Sequence, residues 1–164
     1  MRRRYDTIIR LVVSFILVGS YFVLPKYGFT FDSSLLSHLL YPLSHANIWH
    51  LAVNIMCLWM LRCPTYILTT FVIAVLCSFL PCPQFSFLDV CLVYEPTMGF
   101  SGVLFAMVGI SWGKVKRFKD MIWRNKWFLI ITAFIPHINF LIHFYCLLAG
   151  YLYGTICDKR YVSL

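Results

Sequence analysis

Six predominantly apolar segments, at roughly residues 8–25, 47–62, 65–81, 98–113, 120–136 and 138–156, fill most of a chain of 164 residues. Only short polar gaps separate them. Crossing the hydrocarbon core of a bilayer takes about 20 apolar residues at 1.5 Å rise each, so six crossings use about 120 residues and leave room only for loops. The composition agrees: 61% of residues are hydrophobic and 12% charged, against about 45–50% and about 25% in soluble domains. The expected fold is an all-α membrane protein, a bundle of six transmembrane helices forming one domain over residues 1–164. No internal repeat or low-complexity segment is visible.

The net charge of +8 could suit nucleic acid, but the basic residues form no binding face. They occupy the gaps between apolar segments, the pattern that sets membrane orientation. With a cytoplasmic N-terminus, the inner segments are 1–7, 62–64, 114–126 and 157–164. Together with Arg10 these hold 13 of the 14 Lys and Arg residues, and only Lys26 lies outside. The outer loops carry Asp32, Asp89 and Glu95. The orientation is therefore N-in and C-in, the bilayer is the expected partner, and nucleic acid is not. Arg2, Arg3 and Arg4 before an apolar run also fit a cleaved signal peptide, but no small-x-small cleavage site follows, so the first segment reads as an uncleaved span. Arg10 is expected to reach the headgroups by snorkelling. Lys126 interrupts the fifth segment, which reads as short, tilted, or starting as an interfacial helix.

Seven cysteines make an odd number without metal-ligand spacing, and most lie in or beside apolar stretches, where Cys packs as a small hydrophobe. Cys82 with Cys91 is the one pair considered for a disulfide. His45 and His50 are five apart with no evident third ligand, so no metal is expected, and no cofactor is called for.

Polar side chains inside lipid are costly and face protein or a water-filled cavity. Four such residues, His50, Asn54, Ser101 and His143, fall in the outer third of their spans and hence at a similar depth. Ser101 sits in Gly99-Phe100-Ser101-Gly102, where a loop becomes a helix. A serine hydroxyl needs a base to become a nucleophile, and free N–H groups at a helix N-terminus suit a developing oxyanion. The bland reading is packing, since Gly102, Ala106, Gly109 and Gly113 form a small-residue stripe. His143 shares a helical face with Gly150 and Gly154, which permits close approach to the fourth span and a Ser–His dyad; a histidine bonded within a helix interface is the alternative. His50 and Asn54, spaced i and i+4, project from one face of the second span. They suit either donation to an oxyanion or an interhelical polar clamp.

These stretches carry a resemblance. His45-Ala46-Asn47-Ile48-Trp49-His50-Leu51-Ala52-Val53-Asn54 resembles the second-span motif of rhomboid intramembrane serine proteases. Gly99-Phe100-Ser101-Gly102-Val103-Leu104-Phe105-Ala106-Met107-Val108-Gly109 is similar to their nucleophile helix, with an aromatic four residues after the serine. Ile142-His143-Phe144-Tyr145-Cys146-Leu147-Leu148-Ala149-Gly150 resembles their last-span motif. The three come in the family's order and span the second to the sixth segment. The resemblance implies that Ser101 attacks the scissile carbonyl, with His143 as its base and no third acid. It implies that His50, Asn54 and the Ser101 N–H hold the oxyanion and that Phe105 stacks on His143, with Gly99, Gly102 and Gly150 in support. Implied substrates are single-pass transmembrane proteins cut near the outer face, after a small residue. The implied location is a multi-pass site in a membrane, with the bacterial inner membrane as the expectation. A rhombosortase-like processing protease and an inactive, client-binding rhomboid-like protein are the alternatives. Two departures stand out. Cys146 replaces the usual glycine, which implies slightly wider spacing of the fourth and last spans, with its side chain against Gly102 or Ala106. The first outer loop, about residues 26–46, is short and lacks the family's Trp-Arg pair.

Overall fold

An α-helix lies on each of the six apolar segments. The computed structural model describes residues 2–61, 66–82, 96–115, 118–134 and 138–161. Its helices are α1 (Arg2–Val23), α2 (Leu35–Leu40), α3 (Ile48–Met60), α4 (Ile67–Ser78), α5 (Ser101–Lys114), α6 (Phe118–Phe134) and α7 (Phe140–Tyr161). A 3-10 turn (Tyr41–Leu43) follows α2. Helices and one isolated antiparallel bridge, Phe29 with Thr97, account for the regular structure of the described residues. This is the all-α organisation expected of a membrane protein.

The apolar segments overstate the helices. Arg4–Val23 and Phe140–Cys157 are long and apolar enough to cross a membrane by themselves. By contrast α3 and α4 have 13 and 12 residues, or about 20 and 18 Å at 1.5 Å per residue, short of a hydrocarbon core about 30 Å thick. Leu61, Phe79 and Leu80 continue the apolar runs outside the helices. The pairing of Cys82 with Cys91 lies outside the described residues.

α5 is the central helix, with Gly102, Val103, Leu104, Phe105, Ala106, Met107, Gly109, Ile110 and Gly113 all buried. A helix apolar all round belongs in the middle of a bundle. It packs most intimately on α7, through glycines on both sides. A Cβ on Gly150 would strike the Ala106 carbonyl, one on Gly154 the Ile110 carbonyl, and one on Gly109 the Leu147 carbonyl. In lipid the attraction between helices comes from such close packing, which small residues allow. The paired positions 102 with 146, 106 with 150 and 110 with 154 rise together, so α5 and α7 run parallel and their N-termini share one end of the bundle.

Cys146 does not hold the two helices apart. It is fully buried, and its Sγ lies 3.3 Å from where a Gly102 Cβ would stand. The missing side chain at Gly102 makes room for the sulfur, and full contact resumes one turn below. Arg10 also has a partner within the protein. Its guanidinium donates to the Leu61 carbonyl at the end of α3, satisfying an acceptor that a helix C-terminus leaves open.

The segment between α1 and α3 is tied down by hydrogen bonds to distant parts of the chain. Phe29 and Thr97 exchange both backbone hydrogen bonds at 2.9 Å, and the Gly99 N–H donates to the Tyr41 carbonyl at 2.9 Å. Tyr41 is buried, and its hydroxyl donates to the Ala74 carbonyl at 2.9 Å. The segment between α1 and α3 thus forms a brace under the residues that lead into α5.

Candidate active site

Ser101 is the first residue of α5. The N–H groups of a helix's first turn have no intrahelical partner, and together with the peptide dipoles they give that end a partial positive charge. The serine hydroxyl therefore sits where a developing anion is favoured. Gly99 sets the approach. Its φ is +123°, a region that side-chain-bearing residues rarely adopt, and an added Cβ would stand 2.5 Å from the His50 Cε1. Both the turn and the closeness of the His50 ring require glycine there.

The parallel packing of α5 and α7 brings His143 to Ser101. Ser101 Oγ and His143 Nε2 are 2.8 Å apart, a full hydrogen bond. Phe105, one turn below Ser101, lies parallel to the imidazole at a centroid distance of 4.5 Å and an interplanar angle of 17°. The ring of His143 is thereby fixed on one face by an aromatic and at one nitrogen by the serine. Its Nδ1 is buried without a hydrogen-bond partner among the described residues.

His50 and Asn54 occupy one face of α3, as their spacing requires. The Asn47 side chain caps that helix, accepting from the His50 N–H at 2.9 Å. Asn54 is buried, and its Nδ2 donates to the His50 carbonyl at 3.0 Å. A carboxamide nitrogen carries two hydrogens, so one further N–H remains to be directed elsewhere. His50, Asn54, Ser101 and His143 together line a cavity of about 270 Å³, to which Val53, Cys57, Leu104 and Val108 add apolar surface. Behind His50 stands His45, edge to face at 5.2 Å. His45 is 1% exposed, and burial, with His50 as the second cause, holds its imidazole down to about 4. It is therefore neutral beside His50.

Gly102 and Gly150 support this arrangement as spacers between α5 and its neighbours. Sequence reasoning missed Asn139, which accepts from the Leu141 and Ile142 N–H groups at 3.1 and 3.3 Å at the start of α7. An Asn directly before an apolar run is an N-cap signal, so this one was legible. Tyr41 and Thr97 left no comparable mark, because their partners are distant in sequence.

A model of the Rhomboid domain matches residues 32–160, from the segment before α2 to the last turn of α7. The match covers most of the chain, which therefore belongs to the rhomboid family. That family consists in general of intramembrane serine proteases and also includes inactive members. The protein is accordingly a membrane-embedded one. No curated protein sequence matches the chain.

Proposed function

We propose that the protein is an intramembrane serine endopeptidase that cuts single-pass transmembrane proteins near the outer face of the bilayer. In this reading the chain is one domain that crosses the membrane six times, with both termini inside. The contact between Ser101 Oγ and His143 Nε2 at 2.8 Å, beside a cavity, is the observation that carries the reading.

Neutral His143 takes the Ser101 proton as Oγ attacks the scissile carbonyl. The carbonyl oxygen gains negative charge, which the Ser101 N–H, the His50 ring and the Asn54 amide stabilise as donors. The tetrahedral adduct collapses as His143 gives its proton to the leaving amine, and the new N-terminus departs. Water, deprotonated by His143, then releases the acyl group and restores Ser101. No carboxylate is required, because Phe105 and the serine already orient the imidazole.

The test is cleavage of a single-span substrate carrying a small residue near its outer end, with both proteins in the same proteoliposomes and the cut mapped by mass. A single cut after that residue supports the reading, whereas an intact substrate, or cuts confined to its soluble parts, contradicts it. His50→Ala and Asn54→Ala should each slow turnover by about 10²–10³, the usual cost of one oxyanion donor. Asn54 also braces its own helix through the His50 carbonyl, so thermal stability must be measured beside the rate. Lower stability with unchanged turnover of the folded fraction would make Asn54 structural and leave the oxyanion to His50 and the backbone.

A further inference from the structure

We infer that Asn139 is a positioning residue for the reaction: its single carboxamide ties the start of the helix carrying His143 to the segment leading into Ser101.

Both proposed catalytic groups stand at helix starts. Ser101 is the first residue of α5 and His143 the fourth of α7, directly after the N–H groups that have no intrahelical partner. A base so placed depends on whatever holds the first turn in place. For α7 that is Asn139, which is 4% exposed. Its Oδ1 accepts from the N–H groups of Leu141 at 3.1 Å and Ile142 at 3.3 Å. Its Nδ2 donates to the Cys82 carbonyl at 3.0 Å and to Thr97 Oγ1 at 2.9 Å. Two donors and two acceptor positions are all that a carboxamide has, so every one is used. The orientation of the amide is forced as well, because a backbone N–H can only donate and a carbonyl can only accept.

Thr97 makes this more than a helix cap. It lies four residues before Ser101, and its backbone is already paired to Phe29 in both directions at 2.9 Å. Two residues on, the Gly99 N–H is held by the Tyr41 carbonyl at 2.9 Å. The approach to the nucleophile is therefore fixed by backbone on the side of the segment between α1 and α3. On the side of α7 it is fixed by the Asn139 side chain. Asn139 and Thr97 also line the cavity next to the Ser101–His143 pair. Loss of this tie should let the two helix starts drift relative to each other while the core contacts of α5 and α7 below remain in place.

The inference rests on reading Ser101 and His143 as nucleophile and base, and the experiment separates the two. Thr97→Val removes the hydroxyl and keeps the shape. Thr97→Ser keeps the hydroxyl. Asn139→Asp keeps the acceptor that caps α7 and removes the donors. All are assayed in proteoliposomes against a single-span substrate, with thermal midpoints measured and Ser101→Ala alongside. In folded Thr97→Val and Asn139→Asp, kcat should fall by about 10²-fold with KM unchanged, since misplacing reacting groups by about 1 Å costs that much. Thr97→Ser should restore the wild-type kcat, which a role in packing alone would not predict. Wild-type kcat in folded Thr97→Val overturns the inference, whatever Asn139→Asp does. Undiminished cleavage by Ser101→Ala overturns instead the reading of the dyad.

Discussion

Ser101→Ala is expected to remove measurable cleavage of a transmembrane substrate, a loss on the order of 10⁶ in kcat, and His143→Ala to do nearly as much. A hydroxyl that keeps its proton is a poor nucleophile, and an imidazole without the serine has nothing to activate. Two groups that act as one unit do not contribute additively, so the double variant should be no slower than either single one. The 2.8 Å contact and the Phe105 ring stacked on the imidazole support treating them as such a unit. The measurement is the initial rate in proteoliposomes, with each variant first shown to be folded by its thermal midpoint. His143→Ala that retains a tenth or more of wild-type turnover, as a rough threshold for a general base, would assign the proton to another acceptor.

The second large effect concerns stability. Gly150→Ala is expected to destabilise the protein by about 1–3 kcal/mol, and more if the backbone cannot yield, because it overpacks a closed interface. An added Cβ there meets the carbonyl oxygen, carbonyl carbon and Cα of Ala106, all backbone atoms of α5. No flexible side-chain end is available to move aside, so α5 and α7 must separate. Gly109→Ala, facing the Leu147 carbonyl from the other helix, should behave alike. Gly19 on α1 is the contrast, with nothing within 4 Å of its added Cβ. Gly19→Ala should be neutral or stabilising by up to about 1 kcal/mol through helix propensity alone. Thermal unfolding in detergent compares the three. A wild-type midpoint for Gly150→Ala would mean that the helices are not held at the spacing described.

The sequence made the six helices legible because each carries a long apolar run, and it made their packing legible where glycines recur on one face. The Gly150 and Gly154 stripe placed His143 toward α5, and Gly102 and Ala106 marked the surface it meets. The limits were physical. Hydropathy measures apolarity rather than helix length, so the runs around α3 and α4 extended past their ends through Leu61, Phe79 and Leu80. The brace in residues 26–46 was invisible because α2 has only six residues, too few to show a period. Its strongest ties, Phe29 to Thr97 and Tyr41 to Gly99 and Ala74, also join distant parts of the chain. Cys146 misled in one respect: a larger residue in a glycine's usual place suggested wider helices, yet Gly102 opposite already left the room. The partner of Arg10 was not legible either, since the Leu61 carbonyl lies 51 residues away in sequence.

The most direct test of Ser101 as an activated nucleophile needs no substrate. A serine-reactive fluorophosphonate probe is applied to the detergent-solubilised protein, wild type beside Ser101→Ala, and the adduct is located by peptide mapping. An activated serine forms a covalent phosphonyl ester where an ordinary hydroxyl does not. Labelling of the wild type at Ser101, absent from Ser101→Ala, is the expected result. Equal labelling of both proteins, or labelling of neither, would contradict the assignment of Ser101 and with it the proposed protease.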